Sequence, residues 1–281
     1  LPVHEVSGNA ELAEGNIDFR GDIVIHGNVE SGVNIRATGS ITIDGVAEAC
    51  MLEAGKDIIL RGGMLGGNKA SVKTKGAITA KFFEFTNILC EGDLQADVLM
   101  DCSVICHGQI RLTGRKGSII GGKVQAIRGL IATSLGNDAE KRTEIFVGAG
   151  IDVYSRLRVM EKKIETTREE LAKIEEGLEK FEILSKERGV SYTNDPRRTS
   201  LLRIKIKDSA MLASDEEEVR KLRILAESSR GACVSVIQEI YPGVIINMDE
   251  LKLALKNMAT GVEFYKLPDK IGTRPCSAGV E

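Results

Sequence analysis

Apolar and polar residues alternate in short runs closed by glycine along the first half of the chain: GDIVIHG (21–27), GSITIDG (39–45), DIILRGG (57–63), GAITAK (76–81), GDLQAD (92–97) and GQIRLTG (108–114). The period of two predicts strands of three to five residues, with Gly, Asp and Asn at the turns. Their first apolar positions, Ile23, Ile41, Ile58, Ile78, Leu94 and Ile110, follow one another at 18, 17, 20, 16 and 16 residues. Second strands fall between them at Val33-Asn34-Ile35, Val72, Ile88-Leu89-Cys90 and Val104-Ile105-Cys106. Strands this short cannot bury a face alone. Coils stacked ~4.8 Å apart build a continuous core and pair the backbone along the stack. The expected fold is therefore mainly β: a single-stranded β-helix of about six to seven coils over roughly 12–150, right-handed by the usual crossover preference.

The pattern changes after Gly148-Ala-Gly150. Leu157, Ile164, Leu171 and Leu178 alternate with Met160, Thr167, Ile174 and Phe181 as an a/d seam kept for four heptads, flanked by Glu161, Arg168, Glu175 and Glu182. GVSYTNDP (189–196) supplies turn residues and a helix-starting proline, and a second helical stretch near 197–229 carries Leu201, Leu202, Leu212, Val219, Leu222 and Leu225 on a less regular seam. An antiparallel coiled-coil hairpin with arms reaching ~50 Å is expected, at ~1.5 Å per residue. Alternation returns in ACVSVIQEIYPGVIIN (232–247) and GVEFYKL (261–267) around the turn Tyr241-Pro242-Gly243. These strands are expected to come back to the β-helix as a C-terminal β cap. The predicted organisation is a repeat domain over 1–150, an inserted hairpin over 151–230 and a returning segment over 231–281.

Composition sharpens this picture. Of 281 residues 42% are apolar but only 4% aromatic, with no Trp and 30 Gly, which favours a core of small aliphatic side chains tiled regularly. Glycine is expected at corners, where the chain turns sharply and coils approach too closely for a Cβ. A net charge of −3 gives no long-range attraction to nucleic acid or anionic lipid, although it leaves room for local basic patches, and no nucleic-acid partner is expected. The six cysteines show no secreted-type clustering, and no apolar run is long enough to span a membrane, so a reduced cytosolic setting is expected. No charged-then-apolar leader follows Leu1, and the sequence reads as part of something longer with room for an N-terminal domain.

Four chemistries compete with a purely structural role. GSIIGGKV (117–124) and GGMLGGNKAS (62–71) mimic phosphate loops, but Val124 stands where a hydroxyl is needed, Asn68 where a lysine is needed, and strand-like residues follow both. Both are read as β-helix corners. Cys102, Cys106 and His107 lack zinc-knuckle spacing, and Cys90 and Cys106 lie one coil apart, as stacked core residues would. His26 is read in a strand-ending turn and His4 in a tail. Asp22, Asp44, Asp57, Asp93 and Asp101 could suggest a glycosidase, yet they occupy turn positions where Asp holds nearby backbone amides. Ile17, Ile23, Val29, Ile35, Ile41 and Ala47 recur every six residues, as in hexapeptide acyltransferases, but the phase fails at Glu53 and no catalytic-histidine loop is present.

GNIDFRGDIVIHGNV (15–29), GSITIDGVAEACMLEAGKDIILRGGMLGG (39–67), GRKGSIIGGKVQAIRGLIATSLGN (114–137), EIFVG (144–148) and IYPGVII (240–246) together resemble the flagellar assembly protein A family of bacteria. The resemblance covers nearly the whole chain in the order β-helix, hairpin, β return. It implies a non-enzymatic cytoplasmic protein tied to flagellar assembly and motility, with a family N-terminal domain before Leu1. The β-helix is also similar in kind to those of bactofilins and of the division inhibitor MinC.

The expectation is a scaffold without catalytic residues, metal or cofactor, working through protein partners such as flagellar or polar-localisation components, in the cytoplasm or at the periphery of the inner membrane or cell pole. Partner binding is expected at the hairpin turn, on Tyr192, Asn194, Arg197 and Arg198. Homo-oligomers could form through the β-helix ends or the coiled coil. The alternative is a β-helix enzyme acting on carbohydrate or acyl donors.

Overall fold

A computed structural model describes residues 2–277 apart from Thr113 and Arg115, and only the backbone of Ile151 and Asp152. Thr113 in GQIRLTG, Arg115 in the longer 114–137 segment, and Leu1 thus lie outside the described residues. The chain divides into two compact units, residues 1–150 together with 228–281, and residues 151–227.

The first unit is a β-solenoid of about eight turns. Each turn lays one short strand on each of three faces. On the first face Ile23 pairs in register with Ile41, then Ile58, Ile78, Leu94, Ile110, Leu130 and Val234, so the column read from the sequence is the column that stacks. All of these are buried, each worth about 1.5–3 kcal/mol of apolar burial. The second face begins with bridges from Ala10 to Val29 and Val29 to Ala47, and continues through Met64, Phe83, Leu99 and Ile119. The third face stacks Ile17–Phe19, Asn34–Ala37, Met51–Ala54, then residues 71–74 and 87–90, Ser103–Cys106, Gly122–Ala126 and Thr143–Val147.

This three-sided section explains the six-residue recurrence of Ile17 to Ala47. Ile17 stacks on Ile35, Ile23 on Ile41 and Val29 on Ala47, one position per face. The recurrence ends when later turns change length. The stack extends past the six to seven coils counted from the sequence, because Val3–Val6 pairs with Asp22–Ile25 and a further turn forms after the helices. His4 lies in the first of these strands and not in a tail, its ring 5.3 Å from Phe19.

Corners are built from glycine and carboxylate. Where the third face turns into the first, Gly39 N–H donates to Gly21 O, Gly92 to Gly76 and Gly108 to Gly92, at 2.8–3.0 Å. Beside them Asp22 accepts the Ser40 amide, Asp57 the Ala77 amide and Asp93 the Gln109 amide, at 2.7–2.8 Å. Each aspartate therefore holds the coil after its own, satisfying a backbone donor that the sharp turn would leave open.

After the helices, Cys233–Ile240 and Val244–Met248 add one more parallel turn. The mode of pairing then reverses. Ala259–Lys266 runs antiparallel on Cys233–Ile240, Leu251–Ala254 antiparallel on Val244–Met248, and Ile271–Pro275 closes on Ala259–Lys266. The C-terminal segment thus both extends and caps the stack, covering edges that would otherwise pair with other chains. Buried Glu263 accepts from Ser235 Oγ at 2.9 Å and from Arg274 Nε at 2.6 Å, locking the cap.

The second unit is the hairpin of α1 (Gly150–Arg188) and α2 (Pro196–Ser228). Every a/d position named on α1, Leu157 to Phe181, is buried or half-buried. On α2 Leu201, Lys205, Asp208, Leu212, Asp215, Val219, Leu222 and Ala226 are buried or half-buried at four-three spacing, with Leu202, Glu217, Glu218 and Leu225 half-buried beside them. The seam is a heptad stripe that carries charged residues and is widened by its neighbours. Lys163 reaches Asp215 at 2.7 Å and Lys205 reaches Glu175 at 2.7 Å, so these seam charges have partners on the facing helix.

Candidate functional site

Neither glycine-rich loop holds a phosphate-binding geometry, and both turn the same corner, from the second face to the third. The register places Phe85, Asp101 and Gly121 in one column. All three are left-handed, with φ of 47°, 50° and 72°. In the preceding coil residues 66–69 bulge opposite Phe85, with Gly67 and Asn68 left-handed. In these successive coils the corner takes positive φ, which glycine adopts without strain at Gly67 and Gly121, and this shared corner is what the two motifs have in common. Gly122–Ala126 continues as a strand, so no helix N-terminus follows to bind an anion. The Lys123 ammonium lies 4.6 Å from the centre of the Phe146 ring.

Cys90 and Cys106 are direct neighbours in the stack, as their one-coil spacing implies. The Cys106 thiol donates to Gly92 O at 3.2 Å, and its contact with Cys90 together with burial pushes it well above the usual thiol range. Burial raises Cys50 to about 12 and Cys102 to about 11. These groups stay protonated near neutrality. Among the described residues no group of three or more His, Cys, Asp or Glu could hold a metal ion.

The candidate carboxylates are engaged in holding coils together. Beyond the amide bonds of Asp22, Asp57 and Asp93, Asp44 pairs with His26 at 2.9 Å and Arg61 at 3.3 Å, Arg128 reaches Asp93 at 2.5 Å, and Lys141 reaches Asp101 at 2.5 Å. An acid or base for glycosidic cleavage has to face an open groove with its proton free to move. These aspartates are instead fixed by cations and amides.

The remaining candidate is the turn of the hairpin. Gly189, at φ 63°, ends α1, and Asp195 caps α2 by accepting the Arg197 amide at 2.8 Å, with Pro196 at the first helical position. Tyr192 is half-buried with its ring 6.2 Å from Phe181, the last seam residue of α1. Asn194 is exposed, Arg197 bends back to Asp195 at 3.7 Å, and Arg198 lines an open cleft with Lys186, Val190 and Ser191. The turn thus gathers the four residues selected from sequence, but gives Tyr192 and Arg197 local packing and capping duties.

A charge division went unnoticed in the residue-by-residue reading. Residues 183–207 carry seven basic groups (Lys186, Arg188, Arg197, Arg198, Arg203, Lys205, Lys207) against Glu187 and Asp195, a net +5. The rest of 151–227 carries ten basic and fifteen acidic residues, a net −5. Counting charge in windows would have found it. Away from the turn, Arg156, Lys163, Arg168 and Arg223 each reach a carboxylate on the other helix, while Arg158, Lys162, Lys173 and Lys221 form no ion pair among the described residues. Near the turn, among the described residues, Lys186, Arg188, Arg198, Arg203 and Lys207 form no ion pair.

No helix among the described residues is long and apolar enough to cross a membrane. No curated protein and no solved structure matches the chain. The family described as Flagellar Assembly Protein A beta solenoid domain matches residues 2–271, covering the three-faced stack, the inserted helices and most of the antiparallel cap. The chain therefore belongs to the flagellar assembly protein A β-solenoid family.

Proposed function

We propose that this chain is a non-enzymatic scaffold in flagellar assembly, in which the β-solenoid is a rigid platform and the helical hairpin is a docking arm for protein partners. One observation carries the reading: the polar groups of the solenoid that resemble catalytic machinery are engaged in inter-coil bonds, whereas the hairpin turn keeps basic side chains without partners. Flagellar assembly comes from the family, and scaffolding from this division of duties. Tyr192, Asn194, Arg197 and Arg198 are the proposed contact residues, in a cytoplasmic protein that can associate with the cell pole or the inner membrane.

The test is a pull-down from cell extract with the whole chain and with residues 151–227 replaced by a short Gly linker. Partners that disappear with the hairpin support the docking arm; identical partner sets refute it. Light scattering on the same two proteins reads whether the hairpin joins subunits.

A further inference from the structure

We infer that the turn end of the hairpin docks on an anionic lipid bilayer, which goes beyond the docking of protein partners proposed above and stands or falls separately from it. The net +5 of residues 183–207 calls for an anionic partner, and five of its basic side chains have no intramolecular carboxylate to release first. Lys/Arg clusters of this size are drawn to anionic leaflets within a Debye length of about 8 Å.

Charge alone would suit an acidic protein equally well; the apolar positions separate the two. Ile183 is 48% exposed, Val190 54%, Ile204 43% and Ile206 71%. Val190 lies in the turn itself, and Ile204 and Ile206 are two residues apart on α2, hence about 200° apart around its axis. No single flat partner surface meets both. An interface that surrounds the end of the hairpin meets both at once, with aliphatic groups entering the headgroup region and Arg198, Arg203 and Lys207 meeting lipid phosphates. Tyr192, amphipathic and beside Val190, is a residue type enriched at that depth.

The experiment is flotation of the whole chain with vesicles of about one-third phosphatidylglycerol in phosphatidylcholine, against phosphatidylcholine alone. Binding to the anionic vesicles only, reversed by about 0.5 M salt, is expected. The triple variant Arg198→Gln, Arg203→Gln, Lys207→Gln should weaken partitioning on the order of 100-fold, about fivefold for each charge. The charge-keeping triple Arg198→Lys, Arg203→Lys, Lys207→Arg should retain binding, and Val190→Ser with Ile206→Ser should weaken it with all charges in place. Arg158→Gln, Lys162→Gln, Lys221→Gln, toward the other end of the hairpin, should leave it within about fivefold.

Absence of vesicle binding overturns the proposal, as does equal loss in the two Gln triples. Capture of an acidic protein that depends on Arg198, Arg203 and Lys207, without vesicle binding, also overturns it while leaving the docking arm standing. Loss of both vesicle binding and hairpin-dependent capture removes both readings.

Discussion

Replacing Gly62 by Ala probes the packing that defines the solenoid. Gly27 lies against Gly8, Gly45 against Gly27 and Gly62 against Gly45, one column of glycines down the corner between the first and second faces. A Cβ on Gly62 would lie 2.2 Å from the Gly45 carbonyl oxygen, 2.4 Å from its carbon and 2.8 Å from Val46 N. All three are backbone atoms, so no flexible side chain can yield, and the coils would have to part by about 1 Å. The bonds from Arg61 N to Ile43 O (2.9 Å) and from Ala47 N to Gly63 O (3.0 Å) span that gap. Losing both costs about 1 kcal/mol each, and overpacking adds about 1–3 kcal/mol, for a total of roughly 3–5 kcal/mol. At about 2–4 °C per kcal/mol, circular dichroism should record a fall in Tm of ~6–20 °C. Gly8 heads the same column with nothing within 4 Å of its Cβ position and without a left-handed φ. Gly8→Ala should instead gain about 0.4–1 kcal/mol by restricting the unfolded chain. A Gly62→Ala protein melting within about 2 °C of the parent, or a Gly8→Ala protein destabilised as strongly, would refute the argument that backbone contact between coils selects glycine here.

Three other perturbations separate structural from chemical readings. Lys123→Ala removes the cation over Phe146 and should cost about 0.5–1 kcal/mol by thermal melt, with magnesium–ATP shifting neither protein; saturable, Lys123-dependent binding would restore the phosphate-loop reading. With Cys102 raised to about 11, its thiolate fraction at pH 8 is about one in a thousand, and Cys50 ionises still less. A thiol-reactive dye should therefore react promptly with half-exposed Cys276, more slowly with Cys233, whose thiol burial also pushes up, and reach buried Cys50, Cys90, Cys102 and Cys106 only after denaturation, Cys50 and Cys102 gaining reactivity as pH rises toward those values. Arg274→Ala leaves the Glu263 carboxylate buried without its cation and should destabilise the cap, lowering its melting temperature. Hydrogen exchange should show protection lost in Ala259–Lys266 but kept at Ile41 and Ile58, and Glu263→Gln in the same protein should recover part of the loss.

Much of the architecture was legible because it is local and repeated. Ile23, Ile41, Ile58, Ile78, Leu94 and Ile110 declare their faces by alternation, and they stack in the register their spacing implies. The α1 seam declared itself likewise, since burying one helical face requires apolar residues at a/d spacing. The α2 seam was harder to read because Lys205, Asp208 and Asp215 occupy seam positions, and only the facing helix supplies partners to two of them. The corner role of GSIIGGKV and GGMLGGNK followed from the absent hydroxyl and helix. Their shared column did not, because the four-residue bulge at 66–69 shifts the sequence offset between coils.

By itself, the sequence determined what each short segment is: strand, corner, heptad or turn, since alternation, glycine and a/d spacing act over a few residues. Tertiary structure alone decided what each segment meets. It divided the turns among three faces, gave Asp22, Asp57 and Asp93 the amides of the following coil, and reversed the final strands into an antiparallel cap. It also showed which basic groups on the hairpin lack a carboxylate, because an ion pair depends on the distance between residues as far apart as Glu161 and Arg223. Partners separated by a coil or a helix are set by the summed geometry of everything between them, and a coil length that varies from 16 to 20 residues hides that sum from any local pattern.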